Sequence, residues 1–285
     1  MSTYSTSNPF GLPDPVRAKP PKAYRNEDFI NSVAARHIRV QCELLEPYHR
    51  FKNNEVNNTI IFFGSARIQP IDKIENKLKA LERETGNKDV AEEKAFLEGQ
   101  LKVLRYYEDA RELAKQLTTW SNEVHAPEDR YYLCSGGGPG IMEATNLGAH
   151  EAGGRSIGLG ISLPFESSNN PYISPELNFE FHYFFVRKYW FLYPAKAIVA
   201  FPGGFGTMDE LFEILTLIQT QKVVKKMPVI LYGKDFWDDL INFDKFKKWG
   251  VISPEDTDLF TVIDSVEEAK NTIIRDMAKY KAMDT

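Results

Sequence analysis

Apolar residues along this chain fall into short continuous runs that alternate with stretches of helical spacing. The clearest run is Thr59-Ile60-Ile61-Phe62-Phe63, which ends in Gly64-Ser65. A continuous apolar segment of that length fits a strand buried on both faces of a parallel sheet. From residue 130 onward the pattern predicts strand 130–134, helix 141–152, strand 156–161, a loop over 163–178, and strand 178–181 running into helix 184–192. Strand 197–201, helix 207–220, strand 228–232, helix 235–248, edge strand 260–263 and helix 265–281 complete the series. Strands alternating with helices predict an α/β fold: a Rossmann-like, doubly wound parallel sheet with helices on both faces.

An N-terminal helical extension precedes that core. Residues 1–25 carry Pro9, Pro13, Pro15, Pro20 and Pro21 with little apolar periodicity, which predicts an extended or disordered arm. Residues 26–285 then read as one Rossmann-like catalytic domain. Apolar positions from Phe29 to Leu45 recur at three- and four-residue steps, predicting one helix over 28–46. The charge-rich stretch 70–121 reads as a solvated helical insertion, with helices at 72–84 and 89–121 separated at Gly86-Asn87.

The 285 residues include 40 acidic and 35 Lys+Arg side chains, a formal net charge of −5. The sequence pI near 5.7 argues against a dedicated nucleic-acid binder, which carries a basic excess. The two cysteines, Cys42 and Cys134, form no CxxC, and the five histidines form no HxH or HExxH pattern. Neither a disulfide framework nor a metal site is expected, and a reducing, cytoplasmic setting fits. The N-terminus has no basic flank or apolar core of a secretory signal, and the most apolar stretch, 184–201, is interrupted by Arg187, Lys188 and Lys196. No membrane partner is expected.

Two glycine loops stand where strands are predicted to meet helices. Ser135-Gly136-Gly137-Gly138-Pro139-Gly140 precedes helix 141–152, and Pro202-Gly203-Gly204-Phe205-Gly206-Thr207 precedes the helix at 207. Glycines let backbone amides approach an anion, and a helix N-terminus favours phosphate. Neither loop matches the P-loop or the dinucleotide fingerprint. Thr207-Met208-Asp209-Glu210 fits a capping box, with Thr207 as N-cap; the same spacing also puts Glu210 one turn from the phosphate cradle. Arg187 and Lys188 interrupt an aromatic run, 183–191, that reads as a largely buried helix, where a guanidinium needs an anionic partner, Glu210 among the candidates. Gly64-Ser65-Ala66-Arg67 is a third possible anion contact.

Taken together these residues resemble the LONELY GUY (LOG) family of phosphoribohydrolases, which often carries the older label "possible lysine decarboxylase". The family pattern PGGxGTxxE is complete from Pro202 to Glu210. The GGGxxGxM element corresponds to Gly136-Gly137-Gly138-Pro139-Gly140-Ile141-Met142 with one residue fewer, and the Arg-Lys pair to Arg187-Lys188. The likeness covers roughly residues 57–281, so the chain resembles a longer member of bacterial type. No Ser-x-His-Lys motif for a pyridoxal Schiff base occurs, so the decarboxylase label finds no support.

The resemblance implies hydrolysis of the N-glycosidic bond of nucleoside 5′-monophosphates, AMP or a cytokinin riboside 5′-monophosphate, to free base and ribose 5-phosphate. It assigns Arg187 and Glu210 as the catalytic pair. Phosphate and ribose would rest on Gly203, Gly204, Gly206, Thr207, Gly136, Gly137, Gly138 and Ser65, while Met142, Glu143 and Lys188 would line the base or sugar pocket. No metal or cofactor is required, the partner is the small-molecule monophosphate, and the family is usually homodimeric. The alternative is a non-catalytic carrier of a nucleotide or a phosphorylated cofactor such as molybdenum cofactor. A carrier has no need of a carboxylate beside the ribose, which favours the enzyme.

Overall fold

The computed structural model describes residues 20–81, 88–163 and 169–283. The expected break at Gly86-Asn87, most of the arm and part of the 163–178 loop lie outside these residues.

Two compact units divide the chain, Met1–Cys42 and Glu43–Thr285. In the first, the single helix expected over 28–46 is broken. Helix α1 (Glu27–Asn31) stops at Ser32, and α2 (Arg36–Asn53) begins after a 3-10 turn at Val33–Ala35. Ser32 Oγ donates to Phe29 O at 2.6 Å, and Arg39 Nη1 donates to Ile30 O and Ser32 O at 2.5 and 2.6 Å. Side chains satisfy these carbonyls, so the helix can end there.

The second unit holds a seven-stranded sheet of β1 (Asn58–Phe63), β2 (Tyr131–Ser135), β3 (Ser156–Ile161), β4 (Asn178–Phe181), β5 (Ala195–Ala200), β6 (Val229–Tyr232) and β7 (Thr261–Ile263). Its order is β4-β3-β2-β1-β5-β6-β7, and every neighbouring pair is parallel. Helices α3 (Ile71–Leu81), α4 (Lys88–Leu101), α5 (Arg105–Val124) and α6 (Ile141–Glu151) accompany the first strands. Then come α7 (Phe184–Leu192), α8 (Phe205–Gln219), α9 (Lys234–Leu240), α10 (Phe243–Lys248) and α11 (Val266–Met283).

Strand β1 shows why both faces are covered. Ile60 and Phe62 join a core with Leu113 of α5, Ala144 of α6 and Ile273 of α11. Phe63 points the other way, its ring 5.0 Å from Phe191 of α7. Alternate side chains leave opposite faces of a strand, so helices pack on each side. Ile60, Ile61 and Phe62 are all fully buried, and each such side chain contributes about 1.5–3 kcal/mol.

Two more predicted helices are divided. The one expected over 89–121 breaks between α4 and α5, where Lys102, Val103 and Leu104 turn on i→i−3 bonds and Leu104 packs with Ile74 and Leu97. The one expected over 235–248 breaks at Ile241-Asn242, because the Asn242 side chain caps α10 by accepting from the Lys245 amide at 3.0 Å.

Candidate active site at the switch point

The first four strands step outward from β1 to β4, and the chain then returns to the other side of β1 as β5. Strand order reverses between β1 and β5, and in open α/β sheets ligands bind beyond the carboxyl ends of the strands at such a point. A cavity of about 590 Å³ occupies this crevice. Its walls come from the loop after β1 (Gly64 to Arg67), the first turns of α8 (Gly203 to Glu210), Gly136 and Met142, Phe184 and Arg187 of α7, and Leu240 of α9.

The two loops are knitted by close backbone approach. Ser65 donates its amide to Pro202 O at 3.0 Å, and Ile141 donates to Ser65 O at 3.1 Å. A side chain at Gly203 would bring Cβ to 2.1 Å from Thr207 Oγ1, so glycine is demanded there by packing. Gly204 and Gly206 differ: a Cβ on either meets nothing within 4 Å.

Helix α8 begins at Phe205 with Gly204 as N-cap, two residues earlier than expected. The Thr207 capping box is therefore not formed, and Thr207 is the third helical residue. Met208 makes the first helical bond, to Gly204 O at 3.0 Å. Phe205, Gly206 and Thr207, whose amides precede that bond, line the cavity. Pro139 lies in the loop before α6, whose N-cap is Gly140.

Glu210 lies one turn further in, 7% exposed. Burial pushes its carboxyl above the ordinary glutamate range, Lys188 and then Arg187 pull it back, and Asp209 and Glu213 push it up again. Lys188 Nζ lies 3.6 Å from Glu210 Oε2. The same ammonium lies 2.9 Å from Asp209 and 2.5 Å from Glu213. Burial opposes the Lys188 charge most strongly, yet its bonds to Glu213 and Asp209 hold its pKa above the usual lysine value.

Arg187 donates from Nε to Leu159 O at 2.8 Å, and its guanidinium lies 5.0 Å over the Phe191 ring. It lines the cavity with Met142 beneath Gly136. Helix α7 is less buried than its composition suggests: Val186, Trp190 and Phe191 face inward, while Phe184, Phe185 and Tyr189 are exposed.

The crevice thus brings together Ser65, Gly136, Met142, Arg187, Gly203, Gly204, Gly206, Thr207 and Glu210. Four expected residues stand outside its walls. Gly137 and Gly138 accept from the Asn170 side chain at 3.0 and 3.1 Å, which ties the first glycine loop to the segment after β3. Glu143 accepts from the Tyr107 hydroxyl at 3.3 Å. Lys188 sits behind Glu210 among the carboxylates. Asp209 and Glu213 were not anticipated, although their i, i+4 spacing puts them on one helix face. Leu240 carried no signal in the sequence, since it arrives from a helix thirty residues downstream. Among the described residues, no group of three or more His, Cys, Asp or Glu side chains is arranged to hold a metal ion.

A family model described as "Possible lysine decarboxylase" matches residues 142–273. The cytokinin riboside 5′-monophosphate phosphoribohydrolase LOG7 of Arabidopsis thaliana is 30% identical over 159 residues, 54% of this chain and 69% of LOG7. This chain belongs to the LOG family. Another LOG protein, "Probable cytokinin riboside 5′-monophosphate phosphoribohydrolase LOG4" of Oryza sativa subsp. japonica, is 30% identical over 163 residues. That match spans 56% of this chain and 65% of LOG4, just under two thirds of its length. Among solved structures, TM1055 is 21% identical with a TM-score of 0.46, covering 76% of this chain and 99% of its own. The molybdenum cofactor binding protein from Rippkaea orientalis is 16% identical with a TM-score of 0.45, covering 77% and 96%. Among the described residues, no helix is long and apolar enough to cross a membrane.

Proposed function

We propose that this LOG-family chain hydrolyses the N-glycosidic bond of a nucleoside 5′-monophosphate, releasing the free base and ribose 5-phosphate. The carrying observation is one helix that offers two chemistries to one cavity. Open amides at Phe205, Gly206 and Thr207 form its mouth, and the buried carboxylate of Glu210 lies one turn inside. The bare backbone at Gly204 and Gly206 leaves room for phosphate oxygens, which the helix dipole favours.

Phosphate seated at that mouth brings the ribose toward Glu210. As the C1′–N bond breaks, positive charge grows on the sugar, and a fixed carboxylate in a water-poor site stabilises it more than the ground state. Water supplies hydroxyl to C1′ and a proton to the departing base. Arg187 lies in the same wall, where it donates to the base as negative charge moves onto it. Met142 and Phe184 pack beside the sugar and base. The substrate is AMP or its N6-modified cytokinin counterpart. The exposed Phe184, Phe185 and Tyr189 of α7 support a homodimer, and the two unpaired cysteines suit the cytoplasm.

The test is an endpoint assay without added metal, with AMP and isopentenyladenosine 5′-monophosphate as parallel substrates and adenosine as control. Base released from the monophosphates and not from adenosine is the expected result, and the relative rates choose the base. Folded protein that releases no base from either overturns the reading in favour of a non-catalytic carrier.

A further inference from the structure

Lys188 has three carboxylates around it, and they are not equivalent. Glu213 and Asp209 lie within hydrogen-bond range of Nζ at 2.5 and 2.9 Å, whereas Glu210 stands off at 3.6 Å. Nitrogen–oxygen hydrogen bonds fall at roughly 2.7–3.2 Å, so Glu210 receives the ammonium's charge without a close bond. Asp209 and Glu213 are four residues apart on α8 and approach the lysine from the solvent side, while the Glu210 carboxylate is buried. We propose that Glu213 is a positioning residue: with Asp209 it anchors the Lys188 ammonium outward, leaving the Glu210 oxygens uncovered toward the cavity.

The inference rests on the phosphoribohydrolase reading of the site. Its physical basis is a competition for three ammonium protons. With Glu213 in place, the lysine satisfies itself on the outer carboxylates. Without Glu213, Glu210 is the remaining carboxylate within 4 Å of the lysine that it does not already bond, and an ammonium closed over it blocks its approach to a sugar. The charged groups facing Glu210 are Lys188 and Arg187 from α7 and Asp209 and Glu213 from its own helix. Arg67 faces the same cavity from the loop after β1.

Two substitutions move the system in opposite directions. Glu213→Gln removes a like charge and replaces an anionic anchor by a weaker neutral acceptor, so Lys188 shifts toward the charged Glu210 and both effects favour the ionised form. Lys188→Met removes the compensating cation and leaves a buried carboxylate beside two others, which favours the protonated form. In Glu213→Gln, kcat for AMP falls about tenfold with little change in KM, as expected for loss of an interaction in the transition state. The acid limb of its pH profile moves down by roughly one pH unit, and that of Lys188→Met moves up. Loss of the like charge alone moves the limb of Glu213→Gln down without lowering kcat, so the downward limb together with the fall in kcat marks the positioning role.

A second readout does not depend on turnover. The Glu210 carboxyl is titrated by carbon-13 NMR in protein labelled at glutamate, with Glu210→Gln supplying the assignment. A midpoint that Glu213→Gln lowers further in the wild-type background than in Lys188→Met, where only the like charge is lost, supports the anchoring even where wild type releases no base, the result that would sink the phosphoribohydrolase reading alone. Wild-type kcat, acid limb and Glu210 titration in folded Glu213→Gln overturn the proposal.

Discussion

The Ile141 amide donates to the Ser65 carbonyl at 3.1 Å, so the loop after β1 caps the helix that follows β2. Gly140 makes this possible. Its φ is +72°, and a Cβ there would stand 2.3 Å from Ser65 O. Both the left-handed backbone and the contact with rigid main chain exclude a side chain.

Gly140→Ala is therefore expected to destabilise the protein by about 3 kcal/mol or more, through strain and the loss of the joint between the two glycine loops. Urea unfolding with comparison of midpoints checks it. A loss well below about 1 kcal/mol would show that the loops are not coupled through this position.

Gly206 makes the contrasting case, since a side chain there meets only open space. Gly206→Ala should leave stability unchanged or raise it by about 0.5–1 kcal/mol, because alanine loses less entropy in a helix than glycine. The methyl group crowds the phosphate position, so KM for the monophosphate should rise at least about tenfold. Unaltered KM would move the phosphate away from this helix mouth.

Asn170 ties the first glycine loop to the core. Its side-chain amide donates to Gly137 O, Gly138 O and Asn146 Oδ1, all buried. Asn170→Ala removes the donor to Gly138 O, while Gly137 O keeps the residue-170 amide and Asn146 Oδ1 keeps the Ser135 hydroxyl, so it is expected to cost about 1–3 kcal/mol. Thermal melting measures it, and a shift under about 2 °C would mean that water replaces the amide.

Glu210 also has a stability signature. Its pKa is raised above the ordinary 4.5, so between those two values the folded protein holds a proton that the unfolded chain has lost. Stability then falls as pH rises from about 4.5 through the folded pKa. Glu210→Gln, which carries no charge to bury, should melt above wild type at neutral pH and lose that advantage on acidification below about 4.5. An equal Tm at pH 7 would show that Lys188 and Arg187 fully offset the burial.

The sheet was legible in the sequence because its strands are buried on both faces. Runs such as 59–63 have no polar alternation, and the structure returns them nearly residue for residue. Helix ends were less legible where single side chains decide them. Ser32, Asn242 and the turn at 102–104 interrupt patterns whose apolar spacing continues across the break. The Thr207-x-x-Glu210 spacing has the form of a capping box, but the Gly204 carbonyl already accepts from Met208, so the helix starts two residues sooner. At the site, the second glycine loop and Glu210 announced themselves through local chemistry. The carboxylate ring around Lys188 did not, because it depends on how α7 and α8 cross.

The most direct measurement is quantification of adenine and ribose 5-phosphate released from AMP by wild-type protein and by Glu210→Gln. Wild type should yield the two products in equal amounts. The variant, still folded and still binding AMP, should be slower by about 10²–10³-fold or more. Undiminished release by Glu210→Gln, or no release by folded wild type, would contradict the assignment of this carboxylate.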